Sequence, residues 1–259
     1  MEDTLKLETV QSVDRAFQVL ETVSRLGSVS LNDLRKELGL NKASLLRLAH
    51  TLVVNGYLAK NSQTGNYSLT LKTYEVGIST IQRGNQINLI NTVLGDLSKD
   101  SGLIAQFSVE DNNELICLQS IGQTNPVFSS YTNAGKRSPL YSTSAGKAIL
   151  STYSNEDIIK KWESFEVKPL TQNTLTDVQS LLKDLAEIRR RNYALDIEEN
   201  EYNLFCIGAV VRNHTQAAIG AISLSTESLS GEDEKRHSAL VISAARRLSG
   251  LLGYAAGAL

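Results

Sequence analysis

The chain has 259 residues, of which 41% are hydrophobic and 21% charged, with a net charge of −2; this leaves room for one large domain or two modest ones and excludes a disordered, collagen-like or coiled-coil chain. The longest uncharged stretch, Leu115 to Gly135, is interrupted by Gln, Ser and Asn, so no membrane span is expected, and the acidic start without an apolar run excludes a standard secretory signal. Two cysteines without CxxC spacing (Cys117, Cys206) and three histidines without metal-ligand spacing (His50, His214, His237) argue against a disulfide framework, a metal site or a cofactor-bearing metalloenzyme, and suit a reducing cytoplasm.

The N-terminal stretch reads as helices and one hairpin. Val13, Ala16, Phe17, Leu20 and Val23 recur at helical spacing and predict a first helix with that stripe buried, ended by Gly27. Ser30-Leu-Asn-Asp33 starts a short second helix carrying Leu31, Leu34 and Leu38, with Gly39 placed to stop it. Asn41 caps a third helix whose apolar face is Leu45, Leu48, Ala49 and Leu52. The alternating runs 57–60 and 67–70, around the turn-rich 61–66, predict a β-hairpin. Charge is uneven: Ser28 to Lys72 carries six basic and two acidic residues, so a basic segment is attached to an acidic remainder.

Helical spacing returns from Leu71 to Lys99, with a break at Arg83-Gly84-Asn85. Residues 103–109 and 114–121 alternate around 110–113, a second hairpin. Helices are expected from Ala145 to Ser151, Ser154 to Glu163 and Thr176 to Arg191, the last burying Val178, Leu181, Leu182, Leu185 and Ile188. Strands are expected at 193–198, 204–212 and 217–226, and a final helix from Ser230 buries Val241, Ala244, Ala245, Leu248 and Leu252. The second half is therefore α/β with a mainly antiparallel sheet.

Three short helices followed by a hairpin is the order of a winged helix-turn-helix, with Gly39 in the tight turn. A helical wheel sets Ala43, Ser44, Arg47 and Thr51 opposite the leucine stripe of the third helix, with Lys42 at its start and Lys60 in the wing. Arg47 can pair bidentately with guanine, and Lys42 and Ser44 suit phosphates or base edges. Periodicity alone leaves two readings open: a DNA-reading face, or the solvated face that any small bundle presents.

The joint order of several runs resembles the IclR-type bacterial transcriptional regulators. These runs are Ser12-Val-Asp-Arg-Ala-Phe-Gln-Val-Leu20, Leu31–Leu40, Asn41-Lys-Ala-Ser-Leu-Leu-Arg-Leu48, Asn55-Gly-Tyr-Leu58, Tyr67-Ser-Leu69, Gly135-Lys-Arg-Ser-Pro-Leu140, Ser142-Thr-Ser-Ala-Gly-Lys-Ala148, Asp196-Ile-Glu-Glu-Asn200 and Cys206-Ile-Gly-Ala209. The resemblance implies a two-domain α/β chain: a winged helix-turn-helix DNA-binding domain at 1–70, a linker helix at 71–85 and a GAF-like effector-binding domain at 86–259. It further implies a homodimer or dimer of dimers, a pseudo-palindromic double-stranded DNA operator, and a small organic acid that changes operator affinity, with repression the expected sign.

Carried over by position, the effector residues are Ser144 and Ala145 as backbone donors, Asp196, Cys206, Ser223 and Ser225, with Val127, Ser130 and Ser138 in a covering loop. Ser130 and Ser138 stand where family members often carry apolar residues, which favours a hydroxylated sugar acid over the smallest keto acids and leaves an aromatic acid open. Taken singly, each has a plainer reading: Cys206 as a small buried hydrophobe, Ser223 and Ser225 as solvent-face strand residues, Asp196 as an arginine's partner.

Rival classes have weaker support. A nucleotide P-loop over 141–148 fails because Tyr141 and Ala148 stand where Gly and Ser or Thr are required. An enzyme lacks a nucleophile, base and orienting group in one motif, since Ser144 is in no GxSxG elbow. An activator would share the fold and the DNA binding, whereas a sensing adaptor that has lost DNA binding would lack the steep salt dependence of binding to duplex DNA.

Overall fold

The computed structural model describes residues 9–78, 86–122 and 134–254. Its contacts divide the chain into two compact units, Met1–Gly84 and Asn85–Leu259.

In the first unit, helices α1 (Gln11–Leu26), α2 (Leu31–Leu38) and α3 (Lys42–Val54) precede the antiparallel hairpin β1 (Leu58–Lys60) and β2 (Tyr67–Leu69), and α4 (Leu71–Ile78) follows. Local chemistry sets the turn between α2 and α3. Ser30 caps α2 by accepting the Asp33 N–H, Gly39 ends it with φ of +63°, and the Asn41 side chain accepts the Ser44 N–H at the start of α3. A bridge between Val29 and Tyr67 ties the hairpin to the helices.

The core joins Val19, Val23, Leu34, Leu45, Ala49, Leu52, Leu58 and Tyr67. The expected stripe of α1 is therefore corrected: Val19 and Val23 are buried, whereas Val13 and Phe17 are 48% and 59% exposed. Helix α1 turns its Ala16–Val19–Leu20–Val23 ridge to the core, and a single helix covers only one such ridge when it packs on so small a bundle.

In the second unit, the sheet order is β5 (Arg137–Pro139), β4 (Glu114–Ile121), β3 (Ile104–Asp111), β8 (Ala218–Thr226), β7 (Phe205–Arg212) and β6 (Ala194–Ile197), antiparallel throughout. Asn112 and Asn113 both take positive φ at the β3–β4 turn, as a tight two-residue hairpin demands. Helices α5 (Gln86–Ser101) and α9 (Gly231–Leu251) cover one face through Ala105, Phe107, Ile207, Ala209, Ile222 and Leu224. Helices α6 (Ser144–Leu150), α7 (Asn155–Trp162) and α8 (Val178–Arg191) form a second core on Leu115, Ala194 and Ala221. The two-domain α/β fold class expected of the sequence is the one observed.

Strand β5 has no counterpart in the sequence reading; three residues are too few for alternation to show. Among the described residues no helix is long and apolar enough to cross a membrane.

Candidate functional site

Helix α3 buries Leu45, Ala49 and Leu52 and leaves Lys42, Ala43, Arg47 and Thr51 exposed, with Ser44 and Leu48 half-buried. Among the described residues no carboxylate pairs with Lys42, Arg47 or Lys60, so all three cations stand ready for an external anion. The Lys60 ammonium lies 5.6 Å from the centroid of the Tyr67 ring, which holds it beside the hairpin. The Thr51 hydroxyl donates to the Arg47 carbonyl at 2.9 Å and can therefore only accept from a partner. His50 is also exposed and was missed, although a turn of ~100° per residue sets it within about 20° of Ala43.

The second unit holds a cavity of about 60 Å³ between α6 and the sheet face opposite α5 and α9. Alternation along the strands builds its floor. Because Ala105, Phe107, Ile207, Ile222 and Leu224 point to α5 and α9, their neighbours Gln106, Ser108, Cys206, Ser223 and Ser225 point the other way. The register places Asp196 beside Cys206, Cys206 beside Ser225, and Gly208 beside Ser223.

Gly208 sets the roof. A Cβ there would meet the Ser144 carbonyl carbon at 2.8 Å and the Ala145 nitrogen at 2.9 Å, so only glycine lets the start of α6 descend onto the strand. Thr143 caps α6 by accepting the Gly146 N–H at 3.2 Å. The Ser144 and Ala145 N–H groups have no acceptor among the described residues.

Asp196 is 1% exposed, and its Oδ1 accepts the Glu199 N–H at 2.8 Å and the Asn200 N–H at 3.3 Å. Among the described residues no arginine pairs with it. Burial first, then the charge of Glu199, pushes its carboxyl up to about 7, while Lys147 and the two N–H groups pull in the opposite sense. The Cys206 sulfur lies 3.3 Å from the Ser225 hydroxyl, and burial pushes its thiol well above the ordinary range. Both cysteines are thus protonated wall residues, with none of the thiolate character a nucleophile needs.

Behind the cavity, the buried Lys147 ammonium lies 2.8 Å from Asp184 and 2.5 Å from Glu199. That pairing fixes the Glu199–Asn200 loop, whose N–H groups hold Asp196; the Asn200 side chain in turn accepts from the Ser142 hydroxyl at 3.2 Å.

The cavity brings together Ser138, Ser144, Ala145, Asp196, Cys206, Ser223 and Ser225. Val127 and Ser130 lie outside the described residues. Ser223 is 4% exposed, which rules out the solvent-face reading. Sequence reasoning missed Gln106, Ser108, Cys117, Lys136, Thr143 and Asn200 in the lining. Gln106 and Ser108 carry the same period-2 signal as Ser223 and Ser225; Lys136 and Asn200 sit in loops without periodicity.

Residues 12–62 match the IclR helix-turn-helix domain, and residues 78–250 match the C-terminal domain described as bacterial transcriptional regulator IclR C-terminal. The HTH-type transcriptional regulator KdgR of Escherichia coli K12 is 27% identical over 95% of this chain and 94% of its own. The DNA-binding transcriptional repressor YiaJ of the same strain is 31% identical over 94% of this chain and 88% of its own. Among solved structures, the Thermotoga maritima IclR superposes with a TM-score of 0.79 at 25% identity, covering 94% of this chain and 99% of that one.

Proposed function

The chain belongs to the IclR family of bacterial transcriptional regulators, so it is a DNA-binding regulator and not an enzyme; from that premise we propose that it is a repressor released from its operator by a small hydroxylated organic acid. In this reading α3 enters the major groove, with Arg47 on a base edge, Lys42 and Ser44 on phosphate or base, Ala43 and Thr51 in contact range, and Lys60 on the backbone beside the wing. The chain acts as a homodimer or dimer of dimers, so its operator is pseudo-palindromic with half-sites a helical turn or a multiple apart. Residues 1–70 form the DNA-binding part, 71–85 the linker and 86–259 the sensor. Two buried free thiols and a DNA partner fit the cytoplasm.

The observation that carries the sensor assignment is the convergence of two N–H groups without an acceptor among the described residues, at Ser144 and Ala145, with the Asp196 carboxyl and the Ser223 and Ser225 hydroxyls around one cavity. The N–H pair and a serine suit a carboxylate, and Asp196 suits a hydroxyl on the neighbouring carbon. Ser138 completes the wall in this reading, and Cys206 supplies its apolar side.

In this reading the acid binds the operator-free form more tightly than the operator-bound form, and that difference in affinity is what shifts a two-state equilibrium. The test is a thermal-shift screen of keto, sugar and aromatic acids, with the hit then titrated into the protein–DNA complex. Asp196→Ala should abolish the response to the acid and leave DNA binding intact; an unaltered dose-response curve would remove the cavity from this role.

A further inference from the structure

We propose that the second unit carries another ligand site, at the outer edge of β7, for a small organic anion bearing at least two acidic groups. Strand β6 has four residues against eight in β7, and its pairing ends at Ala194 with Gly208. Among the described residues the remaining half of β7 has no strand on its outer side, and the space there is a cavity of about 480 Å³, within the size range of small-molecule sites. It shares no lining residue with the Asp196 cavity.

The wall carries Arg189, Arg212 and Arg246 and no aspartate or glutamate. A guanidinium stays charged at any working pH. Among the described residues none of these three has a carboxylate partner, although the adjacent Arg190, Arg191 and Arg247 have theirs at 2.7, 3.6 and 2.6 Å. Uncharged acceptors fix two of the groups without neutralising them. Arg189 donates to the Ser151 and Tyr153 carbonyls at 2.8 and 2.9 Å and to the Asn155 side chain at 3.0 Å, and Arg212 donates to the Gln216 carbonyl at 2.8 Å. Arg246 makes no hydrogen bond among the described residues and is exposed, placed to reach a ligand.

Three cations without a carboxylate partner among the described residues, set around one concavity, select a multivalent anion over a monocarboxylate. Tyr193, whose hydroxyl donates to Glu234 at 2.7 Å, and Tyr254 add flat surface for the organic body. Polycarboxylates and phosphate esters share the required chemistry.

Isothermal titration calorimetry on the full chain separates them, with citrate and fructose 1,6-bisphosphate as probes and acetate as the monovalent control. At least one multivalent probe should bind at millimolar or lower concentration, with affinity lost by about tenfold in Arg246→Ala, the scale of one charge-assisted pair. Acetate should give no heat at this site, and Asp196→Ala should leave the multivalent probe's affinity unchanged. Whichever probe binds identifies the acidic group. Absence of binding by both, equal affinity in Arg246→Ala, or loss in Asp196→Ala would overturn the proposal. An unchanged unfolding midpoint in Arg246→Ala confirms that the variant is folded.

Discussion

The Gly208 Cα lies so close to Ser144 that an added Cβ would sit 2.8 Å from the Ser144 carbonyl carbon. The absence of one methyl group on β7 thus sets the height of the α6 N-terminus above the sheet, and with it the position of the Ser144 and Ala145 N–H groups. Gly208→Ala should force backbone apart from backbone and cost about 1–3 kcal/mol. Thermal unfolding should show the loss, and a binding titration with the effector acid should show lost affinity, while DNA binding by the separate first unit persists.

Lys147 is 1% exposed and shared between Asp184 and Glu199. Lys147→Met would leave Glu199 without its cation and Asp184 with only Arg191, at 3.6 Å, a change expected to cost about 3–5 kcal/mol. Burial already holds the Glu199 carboxyl above its usual value even with Lys147 in contact. The deficit should therefore shrink at low pH, where Glu199 takes up a proton. Urea unfolding of both proteins across the acid range measures it; a deficit absent at neutral pH would contradict the pairing.

Asp196 sets a second pH dependence. Its carboxyl is pushed up to about 7 in the folded chain, against roughly 3.9 when unfolded. Between those values the folded state binds a proton that the unfolded state has released, so this group's contribution to stability is present below about 4 and is lost as pH rises through about 7. The groups facing it are the Glu199 and Lys147 charges, the Cys206 thiol, and the N–H groups of Glu199 and Asn200. Asp196→Asn retains an acceptor for both N–H groups and removes the titration. Relative to the original chain, its stability should rise across that window and be level below it; a difference independent of pH would contradict the assignment.

Lys60 tests the wing. Held over Tyr67 with no carboxylate partner among the described residues, it is placed for a phosphate. Lys60→Ala should weaken binding about uniformly across DNA sequences and reduce the slope of log affinity against log salt by ~1. Anisotropy titrations at several salt concentrations read both quantities.

Local signals made most of the fold legible. The Ser30 and Asn41 caps, Gly39 and the alternating runs of β3 and β4 are decided by residues close in sequence, and the elements fall where those residues place them. The face of α1 was not legible, because Phe17 and Val19 are equally apolar and only packing on α2 and α3 selects Val19. Most of the cavity wall came through family resemblance; periodicity alone gave Ser223 and Ser225 a solvent face, since nothing local reveals that α6 lies over them. Lys147, between Gly146 and Ala148, reads as a surface lysine until Asp184 and Glu199 are brought to it by the fold.

The central claim is that the polar side of α3 reads DNA under control of an acid bound in the second unit. Its most direct test is anisotropy on the sequence that the protein selects from genomic fragments, with and without the effector acid. The account predicts a two-fold-symmetric sequence, affinity that falls steeply with salt and by about 1–3 kcal/mol in Arg47→Ala, and release by the acid. Binding that Arg47→Ala leaves unchanged in strength and sequence preference, and that the acid does not loosen, would contradict it.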